Sequence, residues 1–126
     1  MDSYYNTIKW SMTVGVNSGF DLSSQKDMSY SEISTIYLKV AKKIYKDTNI
    51  YISGVIMPSR ILYNDEWGCP LDGEISYTIT GSCNTEFSTV DSFTKALKLF
   101  SEELRKELKQ TTLLLEICPA HLDYLK

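Results

Sequence analysis

Between residues 58 and 73 the chain runs PSRILYNDEWGCPLDG, which brings an arginine, two aromatics, three carboxylates and an amide into one short stretch. The guanidinium of Arg60 can fork onto a phosphate or carboxylate, while Tyr63 and Trp67 offer flat faces to a base or another planar group. Asn64 and Asp65 add amide and carboxylate edges for hydroxyls or exocyclic amines. The set suits a nucleotide better than a lipid or a metal ion. A connection longer than about 12 to 15 residues without structure of its own is commonly functional or disordered. The apolar and aromatic content here argues against disorder. The structural alternative is a loop folded on Trp67 with Arg60 paired to a carboxylate.

Three further groups bear on the same site. Arg105 and Lys109, with Lys106, fall near the end of a second helix and can add positive charge; as helix-end cations they would merely complement exposed carbonyls. Phe20 lies in a second polar connection, Asn17 to Asp27, as a lid residue or a core one. Catalysis has fewer candidates. A nucleophilic triad would rest on His121, the single histidine, which reads as a terminal surface or packing residue. Asp65 and Glu66 are the one carboxylate pair in the loop, and adjacent loop residues tend to face solvent. Asp65, Glu66, Cys69 and Asp72 lack metal-ligand spacing, and neither GxGxxG nor GxxxxGK[ST] occurs. No cofactor, no metal and no enzymatic turnover are therefore expected. Cys69, Cys83 and Cys118 are odd in number and lack CxxC spacing, so they read as free thiols.

Composition narrows the class. A formal charge of −3 provides no field for polyanions, which disfavours nucleic acid as a partner. No apolar run approaches the length of a membrane span, and the first residues lack a basic segment followed by an apolar one, so a bacterial cytosolic location is expected. With 43% hydrophobic and 23% charged residues, the 126-residue chain reads as a single α+β domain over 1–126. Nine tyrosines are many for this size and fit half-wet surfaces.

The elements that must position these residues follow from periodicity. Thr7 to Val16 alternates, with Ile8, Trp10, Met12, Val14 and Val16 on one face. Ser29 and Glu32 form a capping box ahead of Ile33, Ile36, Tyr37, Val40, Ala41 and Ile44 at helical spacing. Ile50 to Met57 is β-prone and is expected to stop at Pro58. Glu74 to Thr80 alternates, and Gly81 to Phe87 reads as a loop. Ser88 with Asp91 opens a second helix carrying Phe93, Ala96, Leu97, Phe100, Leu104 and Leu108. Thr111 to Cys118 is a last strand closed by Pro119. The order β-α-β-β-α-β predicts a ferredoxin-like antiparallel sheet with both helices on one face. The other face would carry Lys9, Ser11, Thr13, Tyr51, Ser53, Glu74, Ser76, Thr78, Thr80, Leu114 and Glu116, and the apolar contribution of Val55, Met57 and Leu114 suggests a homo-oligomer, at least a dimer.

The element order, the small acidic chain and the segment MPSRILYNDEWGCPLDGE resemble small phage and prophage proteins, and within them the Thoeris anti-defence sponge proteins of the first-described type. That resemblance implies an oligomer that captures a cyclic ADP-ribose isomer made by bacterial TIR proteins, holds it without cleaving it, and so blocks Thoeris immunity. Two other classes stay open: a protein-interaction module or inhibitor docking on a bacterial protein, and a small nucleotide-processing enzyme using Asp65, Glu66 or Cys69.

Overall fold

The protein is described by a computed structural model over residues 6–15, 28–110 and 112–125. The expectations for Val16, for the Asn17 to Asp27 connection with Phe20, and for Thr111 lie outside these residues.

Four strands form one antiparallel sheet in the order β2-β3-β1-β4, with two helices between them in sequence. This is the expected ferredoxin-like α+β arrangement. Strand β1 (Thr7–Gly15) is central, pairing with β3 (Glu74–Ser82) on one side and β4 (Leu115–Ala120) on the other. Trp10, Met12 and Val14 point to the helices and are buried, as their alternation requires.

Helix α1 (Tyr30–Thr48) starts at the expected capping box: the Ser29 hydroxyl accepts from the Glu32 amide, and the Glu32 carboxylate accepts from the Ser29 amide. Helix α2 (Val90–Glu107) starts one residue later than Ser88 suggests, because Thr89 supplies the cap by accepting from the Ser92 amide at 3.1 Å. It ends in a Schellman turn, with the Gln110 amide donating to the Arg105 carbonyl and Lys109 left-handed at φ 56°. Both helices bury their apolar stripes on the same sheet face.

The strand bounds correct the sequence expectations in three places. Strand β2 is Val55–Ile61, so Pro58 lies inside it instead of ending it; the run from Ile50 is buried at Ile52, whose carbonyl is taken by the Tyr37 hydroxyl and not by a ladder partner. Strand β4 likewise runs through Pro119. Both prolines are on edge strands, which need ladder bonds on one side only. Strand β3 continues through Gly81, expected in a loop, because the Trp10 indole lies flat against that position and only a residue without Cβ fits. No helix among the described residues is long and apolar enough to cross a membrane.

Candidate functional site

The sheet face away from the helices carries a cavity of about 760 Å³. Strand alternation places Ser11 and Thr13 of β1, Ser59 of β2, Glu74 and Thr78 of β3 and Glu116 beside them on its wall. The hydroxyls are linked: Thr78 Oγ1 donates to Ser59 Oγ at 3.0 Å, and Ser59 and Ser76 Oγ are 2.8 Å apart. With its proton committed to Ser59, Thr78 meets the cavity as an acceptor. Carboxylates are acceptors only, so Glu74, Glu116 and Thr78 make a wall that favours ligand donors such as an ammonium or a ribose hydroxyl. Ile61, Leu62 and Leu114 give the same cavity an apolar part.

One end of this cavity is tightly built. A Cβ added at Gly15, the last residue of β1, would stand 3.4 Å from Gln110 Oε1 and 3.5 Å from Glu74 Oε1, so these two side chains converge over the end of the central strand. Tyr63 stands in the loop beyond this lining, its hydroxyl donating to the Gly68 carbonyl at 3.5 Å. Its phenol is held above the ordinary tyrosine value, first by desolvation and then by the Glu74 carboxylate and Cys69, so it stays a neutral hydrogen-bond donor.

The stretch after β2 has structure of its own. Asn64 Oδ1 accepts from the Glu66 amide at 3.0 Å and caps a short 3-10 helix, Asp65–Trp67, which Gly68 closes at φ 93°. A turn at Pro70–Gly73 returns the chain to β3, with the Gly73 amide donating to the Pro70 carbonyl at 3.0 Å. The expected long connection therefore loses Pro58, Ser59, Arg60 and Ile61 to β2 and folds most of the rest.

Placed in this frame, the residues expected from sequence do not form one cluster. Tyr63 faces Glu74. Arg60 pairs in register with Ile75, a residue packed against the helix-side core, so it stands at the cavity rim with its Cβ on the opposite side of the sheet from Ser59 and Glu74. Asn64 is occupied as a cap, Asp65 begins the 3-10 helix exposed, and Trp67 is 76% exposed. Arg105 binds Glu102 at 2.6 Å and the Gln110 carbonyl at 3.0 Å, bracing the chain behind the cavity without lining it. Lys109 is an exposed turn residue. Glu74, Ser59, Thr78 and Glu116 were absent from the expected site. Their signal was the polar alternation of β3 and β4, which marks a face but not a concavity.

A family model described as SAM lyase matches residues 5–126. A phage SAM lyase in complex with S-methyl-5′-thioadenosine shares the fold at TM-score 0.62 and 20% identity, covering 91% of this chain and 82% of that one. A phage SAM lyase in the apo state does so at TM-score 0.61 and 18% identity, covering 89% and 79%. No curated protein sequence matches. The family match overturns the resemblance to Thoeris sponge proteins, and with it the cyclic ADP-ribose partner and the expectation of a binder without turnover. With both helices, the whole sheet and the loop inside the matched span, the chain belongs to the SAM lyase family.

Proposed function

We propose that this chain cleaves S-adenosylmethionine to S-methyl-5′-thioadenosine within the cavity on the open sheet face. The observation that carries the reading is the family match across residues 5–126. S-methyl-5′-thioadenosine is S-adenosylmethionine without its 2-aminobutyrate tail, so the bond that breaks joins the sulfonium sulfur to the tail's Cγ. The tail carries its own nucleophile: its carboxylate attacks Cγ, the sulfur leaves with the electron pair as a neutral thioether, and a homoserine lactone forms with its ammonium unchanged. No water enters and no proton changes hands.

Such a reaction asks little of acid and base groups and much of positioning. The carboxylate oxygen must be held within about 3 to 3.5 Å of Cγ and in line with the C–S bond. Glu74 and Glu116 would hold the ammonium and repel the carboxylate toward Cγ, while Thr78 and Ser59 take ribose hydroxyls; Tyr63 would reach the substrate only by turning its phenol from the Gly68 carbonyl. Attack of the negative carboxylate on Cγ expels the sulfonium sulfur as a neutral thioether and cancels both charges. The apolar wall of Ile61, Leu62 and Leu114 therefore favours the transition state over the charged ground state.

The test is incubation with S-adenosylmethionine in ¹⁸O-water, with chromatography and mass spectrometry of the products. Expected are S-methyl-5′-thioadenosine above the spontaneous rate and a lactone without ¹⁸O. Glu74→Gln should lower kcat/KM about 10- to 150-fold, the worth of a hydrogen bond to a charged group at about 1.5–3 kcal/mol. No product above background sinks the lyase reading; full activity in Glu74→Gln sinks only this site. Loss of S-adenosylmethionine would starve methyl-dependent host restriction, an anti-defence role by consumption, and would place the protein in the bacterial cytosol where that substrate is made.

A further inference from the structure

A second cavity, of about 550 Å³, opens at the far end of the molecule, where α1 ends, β3 ends and α2 begins. Ser82 lines this end cavity, and along β3 it is four residues from Thr78 and eight from Glu74 of the sheet-face cavity, about 13 and 26 Å at about 3.3 Å per residue. The two linings share no residue.

The two linings differ in charge. Whereas the sheet-face cavity has Glu74 and Glu116, among the described residues no carboxylate, ammonium or guanidinium lines this one. Its wall has the rings of Tyr45 and Tyr51, packed edge to face at 6.1 Å, and the ring of Phe87. These rings face water: Phe87 is 84% exposed, Tyr45 50% and Tyr51 40%. Phe87 is held there by its loop. Asn84 Oδ1 accepts from the Glu86 amide at 2.9 Å, and the Asn84 carbonyl accepts from the Phe87 and Ser88 amides.

Exposed rings held in place at a cavity of this size form a stacking platform for a flat ligand. Asn49 stands on the same wall, and a carboxamide matches the donor and acceptor on one edge of adenine, while Asn84, its Oδ1 taken by the Glu86 amide, keeps its NH2 to donate. Ser53 adds a hydroxyl. Stacking faces, amides and hydroxyls without a charge suit a neutral adenine nucleoside and give no partner to a phosphate or to a sulfonium amino acid. We infer that this end cavity binds a neutral adenine nucleoside, separately from the sheet-face cavity. The end cavity would keep its ligand in a chain with no lyase activity at all.

The experiment is isothermal titration of the full chain with S-methyl-5′-thioadenosine, in the native sequence, Phe87→Ala and Glu74→Gln. Circular dichroism and a thermal melt first establish that each variant folds. Phe87→Ala should weaken binding at the end cavity at least about fivefold, the lower end of a lost base-stacking contact, whereas Glu74→Gln leaves that binding in place. Three results overturn the inference: no binding, binding untouched by Phe87→Ala, or binding abolished by Glu74→Gln. Sedimentation adds a fourth. If Phe87→Ala dissociates a complex between copies and leaves nucleoside affinity unchanged, the rings are a protein contact instead.

Discussion

The hydroxyl of Tyr37 joins α1 to the segment ahead of β2, donating to the Ile52 carbonyl at 2.6 Å while its ring meets Phe100 of α2 edge-on at 4.9 Å. Burial, and to a smaller degree Tyr51, pushes this phenol well above its ordinary value of 10.0. Above that pH the unfolded chain gives up a proton that the folded chain keeps, so unfolding becomes easier as pH rises. Tyr37→Phe should cost about 1–3 kcal/mol at neutral pH by leaving the Ile52 carbonyl unsatisfied. It should also flatten the loss of stability between about pH 10 and 12. Urea melts at neutral and alkaline pH measure both, and an equally steep alkaline loss in the variant would assign the effect to other groups. Single residues are also where the sequence reading and the proposed site differ most. Arg60 and Trp67 have the most recognisable chemistry, yet one sits at the rim and the other in solvent. Glu74 and Thr78 look ordinary in sequence, and only pairing across three strands gathers them on one wall.

Elements were more legible than residues. Helix faces and the Ser29 capping box depend on neighbours within a turn, and they stand as expected. Strand ends depend on partners far along the chain. Pro58, Gly81 and Pro119 look like stops until the sheet order shows that the prolines are on edges and that the glycine lies under an indole. Gly81→Ala tests the last point: its Cβ would come within 2.7 Å of both the Trp10 ring and the Ser53 carbonyl. Backbone and a fully buried ring give way poorly, so a loss of about 1–3 kcal/mol is expected from overpacking. A denaturant midpoint unchanged from the native chain would show that Trp10 has room to move.

At the scale of the whole molecule, the inference that failed was that a chain without a triad, a metal cluster or a phosphate loop has no reaction to catalyse. In the proposed reaction the substrate carries both nucleophile and leaving group, which removes the need for them. Orientation in a cavity is then enough chemistry, and orientation is written in tertiary packing more than in residue types. The same packing leaves the sheet with two outer strands, each interrupted by a proline. A further strand laid along either edge would meet a pyrrolidine ring and a missing donor, so the sheet resists growth by addition of unfolded or extended chains. Replacing both, as Pro58→Val with Pro119→Val, should raise light scattering on mild heating without lowering the melting temperature; unchanged scattering would show that the edges are guarded otherwise. The sheet thus has a barrier to strand-by-strand aggregation in the two residues that most obscured its strands.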